Sequence, residues 1–234
     1  RVLRHVAADR PLVADLRRRD QFGRFHQQAE LLADDRVLDD FGERRHRADL
    51  DAAVQLPDAA QLLDLTLMQM ACGGIRDHVG GGFHRYSVDR QWQVPHFEKM
   101  IYDNTELLRN YAHAYQTFVR EDFRNTAEEI IGWLDAVMTD RERGGFYASQ
   151  DADINLDDDG DYFTWTLEEA RAVLDADELA VAGPYWDIGE LGDMHHNPAK
   201  NVLHRNFTIE EVSAQTGKAA GDVRWLLSSA HRKL

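Results

Sequence analysis

Residues 73–102 read GGIRDHVGGGFHRYSVDRQWQVPHFEKMIY, and the rest of the chain is interpreted outward from them. The triplet Gly80-Gly81-Gly82 is too glycine-rich for a helix. It suits a loop passing close to a neighbour, with at least one residue at positive φ. Upstream, Gly73-Gly74 should stop a helix that opens at Pro57-Asp58 and carries Leu62, Leu63, Leu65, Met68, Met70 and Ala71. Downstream, Pro95 should introduce a long helical stretch to about Arg120, with Met100, Ile101, Leu107, Leu108, Tyr111, Tyr115 and Phe118 near one face. A second helix is predicted from about Phe123 to Asp140. The connection is only a few residues long, which makes the pair antiparallel neighbours.

After Gly144-Gly145 the pattern changes. Phe146-Tyr147-Ala148-Ser149 and Tyr162-Phe163-Thr164-Trp165-Thr166 read as two strands of a small β-hairpin around an acidic loop. Thr166-Leu167-Glu168-Glu169 and Thr208-Ile209-Glu210-Glu211 are capping boxes, each opening a helix. A last helix should follow Asp222 through Trp225, Leu226 and Leu227 to a truncated C-terminus. Residues 1–57 keep no helical period for three turns, and their eleven Arg balance eleven acidic residues without a single Lys. The expected organisation is an atypical segment over 1–56, poorly ordered or mistranslated, followed by one helical domain over 57–234.

Composition sets limits on function. Hydrophobic residues are 43% and charged residues 29% of the chain, as in ordinary globular proteins, and no apolar run is long enough to span a bilayer. A net charge of −15 opposes nucleic-acid binding, which needs concentrated Lys and Arg. The single Cys72 forms neither an internal disulfide nor a CxxC pair, and beside Gly73 it reads as a small packing residue. No membrane and no nucleic acid are expected, and the cytoplasm is the expected location. In the acidic loop, Asn155, Asp157, Asp159 and Gly160 match positions one, three, five and six of an EF-hand. Thr166 stands where its bidentate Glu belongs, so calcium is not expected. His195-His196 lack a zinc spacing, and no GK[ST] follows Gly80–Gly82, so neither metal nor cofactor is expected.

The Gly73–Tyr102 stretch, continuing into Asp103-Asn104, resembles the spermatogenesis-associated-protein-20-like family of thioredoxin-domain-containing proteins. Its Phe83-His84-Arg85-Tyr86-Ser87-Val88-Asp89 element and its Pro95-His96-Phe97-Glu98-Lys99-Met100 element carry the likeness. Further pieces follow in the expected order: Gly144-Gly145-Phe146-Tyr147, Gln150-Asp151-Ala152-Asp153, Tyr162–Thr166 and Asn197–His204, the last with Ala199 where glycine is usual. The resemblance implies an all-α fold, part of an (α/α)6 toroid of the six-hairpin glycosidase and N-acylglucosamine 2-epimerase type. It also implies a thioredoxin-like domain as partner, although no such domain occurs in this sequence. About half of the toroid would be present.

In such a toroid, loops at one rim converge on a central cleft. The candidate catalytic residues are His84, His96, Glu98, Asp103 and Asp151; Arg85, Tyr86, Trp92, Tyr102 and Asp153 are candidate substrate-binding residues. Aromatic faces stack on sugar C–H surfaces, and carboxylates or imidazoles move protons at the reacting carbon. The implied function is a carbohydrate-active or sugar-like small-molecule site, hydrolytic or epimerising. The alternative is a non-catalytic interaction or chaperone-like module working with a thioredoxin-like domain. Each residue also has a plainer reading: His84 and His96 bonding loop backbone, Glu98 and Lys99 as a surface pair, Asp103-Asn104 as a buried polar network, and Trp92 and Tyr102 as core.

Overall fold

A computed structural model describes residues 57–153 and 160–234. The expectations for 1–56 and for the EF-hand-like residues Asn155, Asp157 and Asp159 lie outside the described residues. Helix α1 (Pro57–Cys72) stops where the glycine pair dictates. The Gly-rich loop follows, then short strands β1 (Tyr86–Ser87), β2 (Pro95–His96) and β3 (Lys99–Met100). Helices α2 (Ile101–Phe118) and α3 (Glu121–Trp133) pack along each other, and α3 continues as a π-helical turn over Leu134–Met138. The left-handed Val119 ends α2, its amide donating to the Tyr115 carbonyl, so two residues suffice to reverse the chain.

The second half comprises β4 (Ser149–Gln150), β5 (Thr164–Thr166), α4 (Leu167–Val173), α5 (Ala176–Trp186), β6 (Lys200–Val202), α6 (Ile209–Thr216) and α7 (Ala220–His231). Both expected capping boxes form, at Thr166/Glu169 and Thr208/Glu211. A third, Asp175/Glu178, opens α5 and uses the same reciprocal chemistry. Helix α7 ends at His231 rather than running to Leu234.

The expected β-hairpin does not form. Strand β4 pairs antiparallel with β3 (Lys99↔Gln150, Met100↔Ser149), whereas β5 pairs antiparallel with β6 (Thr164↔Val202, Thr166↔Lys200). Side chains fix the second pairing. Buried Asn201 donates Nδ2–H to the Trp165 and Gly189 carbonyls, and Lys200 Nζ lies 3.1 Å from Glu169.

Two helical cores result. Leu67, Ala71, Tyr111, Phe123 and Ile130 fill one, under α1–α3; Val181, Trp186, Val212, Val223 and Leu226 fill the other, under α4–α7. A small cluster of Phe97, Met194 and Val202 lies under the strands. Arg205 links the ends of α1 and α3. Its amide donates to the Cys72 carbonyl at 2.7 Å, and its guanidinium to Cys72 Sγ at 2.8 and 3.2 Å and to Asp122 at 2.8 Å. Cys72 is therefore a hydrogen-bond acceptor in a polar joint, not simply a small packing residue.

Candidate functional site

Pro95 to Met100 alternates strictly between buried and open positions: Pro95, Phe97 and Lys99 are buried, while His96, Glu98 and Met100 are not. A period of two is that of an extended strand, so this segment is not the start of the long helix. It is flanked on both sides, by β1 at Pro95–His96 and by β4 at Lys99–Met100. One face looks into the protein and the other outward.

The inner face is a buried polar network. Lys99, 1% exposed, donates to Asp77 Oδ2 at 2.6 Å and to the Gly81 carbonyl at 2.8 Å. Its ammonium stands over the rings of Trp133 and Phe163, 5.7 and 4.8 Å from their centroids. Trp133 Nε1–H donates to Gln150 at 2.7 Å. Burial pushes the Asp77 carboxyl up, but the adjacent Lys99 charge overrides that and holds it far below the usual carboxylate range. Gly81 and Gly82 both have positive φ, as the triplet implied. A Cβ on Gly82 would lie 2.9 Å from the Trp133 ring, so glycine lets the loop lie flat on that indole.

His84 belongs to this inner face and not to an open cleft with Asp103. It is 2% exposed, sits edge-on to Phe97 and Phe163, and places Nδ1 2.7 Å from the Phe97 carbonyl. Burial, with repulsion from Lys99, pushes its imidazole down to about 3 despite Asp77. Lys99 likewise is not the surface partner of Glu98. Asn104 fits the buried-network reading: its amide accepts from the Phe83 N–H at 2.6 Å and donates to the Phe83 carbonyl at 2.8 Å, clamping the loop onto α2.

The outer face gathers most of the other candidates. Arg85 forms an ion pair with Glu98 at 3.2 Å. Asp103, in the first turn of α2, lies in the field of both: burial raises its carboxyl above the ordinary value, the Glu98 charge adds to this, and Arg85 opposes it. Its Oδ2 is buried, and no hydrogen-bond partner for it occurs among the described residues. His96 stacks on Tyr86 with ring centroids 5.0 Å apart. Tyr102 is half-exposed beside Arg85. Continuing the β3–β4 register by one residue sets exposed Asp151 across from Glu98; Asp153, two residues on, is also exposed.

Trp92 is not part of this group. It occupies a turn at φ 64°, packs partly buried against the first helical core, and its carbonyl accepts from the Ile75 amide. A Cβ on Gly160 would collide with the Phe97 ring, so that glycine has a packing reason unconnected with calcium. Among the described residues no cluster of three or more His, Cys, Asp or Glu could hold a metal ion. Sequence reasoning missed Asp77, Lys99 and Gln150. The alternation from Pro95 to Met100 was the signal that placed Lys99 indoors.

Most of the chain is shared with known proteins. The chain is 36% identical to spermatogenesis-associated protein 20 of Homo sapiens over 197 residues and 34% identical to that of Mus musculus, in each case over 75% of the chain. The chain is a relative of spermatogenesis-associated protein 20. An uncharacterised protein of Caenorhabditis elegans is 33% identical over 177 residues. The chain spans about a quarter of the length of these relatives, its match covering 25%, 25% and 24% of them. No family model matches it.

Proposed function

We propose that the outer face of the Pro95–Met100 strand is a carbohydrate-active or sugar-like small-molecule site, within part of a six-hairpin toroid that works alongside a thioredoxin-like domain in the cytoplasm. The observation that carries this reading is the pairing of two unequal carboxyls. Glu98 is ion-paired with Arg85, whereas Asp103 has an oxygen without a donor and a raised affinity for its proton. One acid able to give a proton beside one carboxylate able to take one is what bond cleavage or proton transfer at a sugar carbon needs. Exposed Tyr86 and Tyr102 supply ring faces, and His96 supplies a third acid–base group on the same face.

A thermal-shift screen of the chain and of a full-length relative against neutral sugars and sugar phosphates tests it. Stabilisation by at least one sugar, lost in Asp103→Asn with the fold intact, is expected. No shift with any sugar refutes the reading. The alternative, an interaction module, draws on exposed Leu191 and Trp225, at 85% and 66%. It predicts instead that Trp225→Ala weakens capture of the thioredoxin-like domain and leaves sugar binding unchanged.

A further inference from the structure

Three tyrosines on this surface share one property. Tyr86, Tyr102 and Tyr147 are 50%, 51% and 47% exposed, which leaves each ring half covered and half open. Tyr86 lies against His96 with an interplanar angle of 23°, Tyr102 lies within electrostatic reach of Arg85, and Tyr147 lies within reach of Asp140, whose carboxyl it helps to lower. Asp140 is itself fixed, accepting from the amides of Glu142 and Arg143 in the turn before β4.

The strand register sets out their order. Tyr86 lies opposite His96. Glu98 and Met100 follow on the same face, and Met100 lies opposite Ser149, two residues from Tyr147. The Ile101 amide donates to the Ala148 carbonyl, which brings the start of α2, with Tyr102, alongside Ala148 and Tyr147. From His96 to Met100 the strand rises about 13 Å, at about 3.3 Å per residue. That run is longer than one pyranose ring, with tyrosine platforms at both ends and Glu98 between them.

We infer that the site binds a neutral oligosaccharide of two or more units, laid along the strand from Tyr86 to Tyr147 across the Glu98–Asp103 pair. This rests on the sugar-site reading above and sharpens it. Stacking of a sugar face on Tyr86 costs little ordering, because that ring is already set against His96. The charge on this face opposes acidic glycans: Glu98 and Asp151, set across from each other by the strand register, outnumber Arg85. The open faces occur at intervals, unlike the single cage that a monosaccharide site requires.

The test is calorimetric titration of the full chain with glucose, mannose and N-acetylglucosamine and with their neutral homo-oligomers of increasing length. The expected result is affinity that rises at least tenfold from one unit to three in one series. Tyr147→Ala should erase that gain, with the helical circular dichroism of the parent chain retained. If a single sugar binds as tightly as its trimer, the extended site is wrong and the sugar-site reading stands. If none of the sugars binds, both fall. Equal binding of a uronic-acid oligomer and a neutral one overturns the charge argument and the inference with it.

Discussion

Acidification from pH 7.5 to pH 5.0 should destabilise this fold, and the window isolates two histidines. His84 is held down to about 3 by burial and by Lys99, and His78, its Nε2 3.0 Å from the Gly73 carbonyl, is held well below its ordinary value by burial and by Arg76. Both are buried. Below about pH 6.5 the unfolded chain binds protons that the native state refuses, so stability falls as pH falls. Each histidine contributes about 1.4 kcal/mol per pH unit below its unfolded value, or about 2 kcal/mol by pH 5.0. Together they remove about 4 kcal/mol, a large part of a typical domain stability of about 5–15 kcal/mol. Asp77, depressed far below 3.8, contributes stability that is lost only as pH falls beneath that value, and so does not enter this window. Asp103 works in the opposite sense, because a raised carboxyl favours the native state on acidification. Urea melts at both pH values, read by tryptophan fluorescence, measure the difference. His84→Asn should lower stability at pH 7.5 and roughly halve its pH dependence. Equal midpoints at the two pH values with an unchanged slope would refute the argument.

Four further outcomes can be measured on the same melts. Lys99→Met leaves Asp77 charged and unpaired in the interior and should cost about 3–5 kcal/mol, with Asp77→Asn in the same chain recovering part of it. Gly82→Ala should destabilise by more than about 1 kcal/mol, because φ is 74° and the new methyl meets Trp133. Gly132→Ala, in α3 with no atom within 4 Å of a new Cβ, should instead stabilise by about 0.5–1 kcal/mol. Thr208→Ala removes one side of the α6 capping box and should cost about 1 kcal/mol, seen also as faster amide exchange in the first turn of that helix.

What could be read from the sequence was what local chemistry decides. The helix stop at the glycine pair, two capping boxes and the positive φ in the glycine triplet depend on near neighbours in sequence, and all are found. Asp175/Glu178 carries the same local signal and was overlooked. The hairpin failed because strand pairing is settled at long range: Asn201, 36 residues from Trp165, supplies the bond that fixes β5 against β6. Pro95 misled for a related reason. Proline opens helices and extended strands equally well, and Met100-Ile101 ran straight on into a true helix.

The candidate site shows the same division on one strand. Outward candidates such as Glu98, His96 and Tyr86 are where a polar or half-polar residue belongs. His84 and Lys99 are polar too, yet they face inward, because Asp77, 22 residues from Lys99, offers an ion pair there. Nothing within a few residues of Lys99 announces that partner. Once Lys99 is anchored, the period of two compels Glu98 to the opposite face, beside Arg85 and Asp103. The buried pair thus sets the direction of the carboxyl that the outer site uses. Lys99→Met together with Asp77→Asn should therefore leave a folded chain whose Glu98–Arg85 contact is loosened, visible as greater motion of the Arg85 side chain by NMR. An Arg85 as rigid as in the parent would show that the outer face is held independently of the inner one.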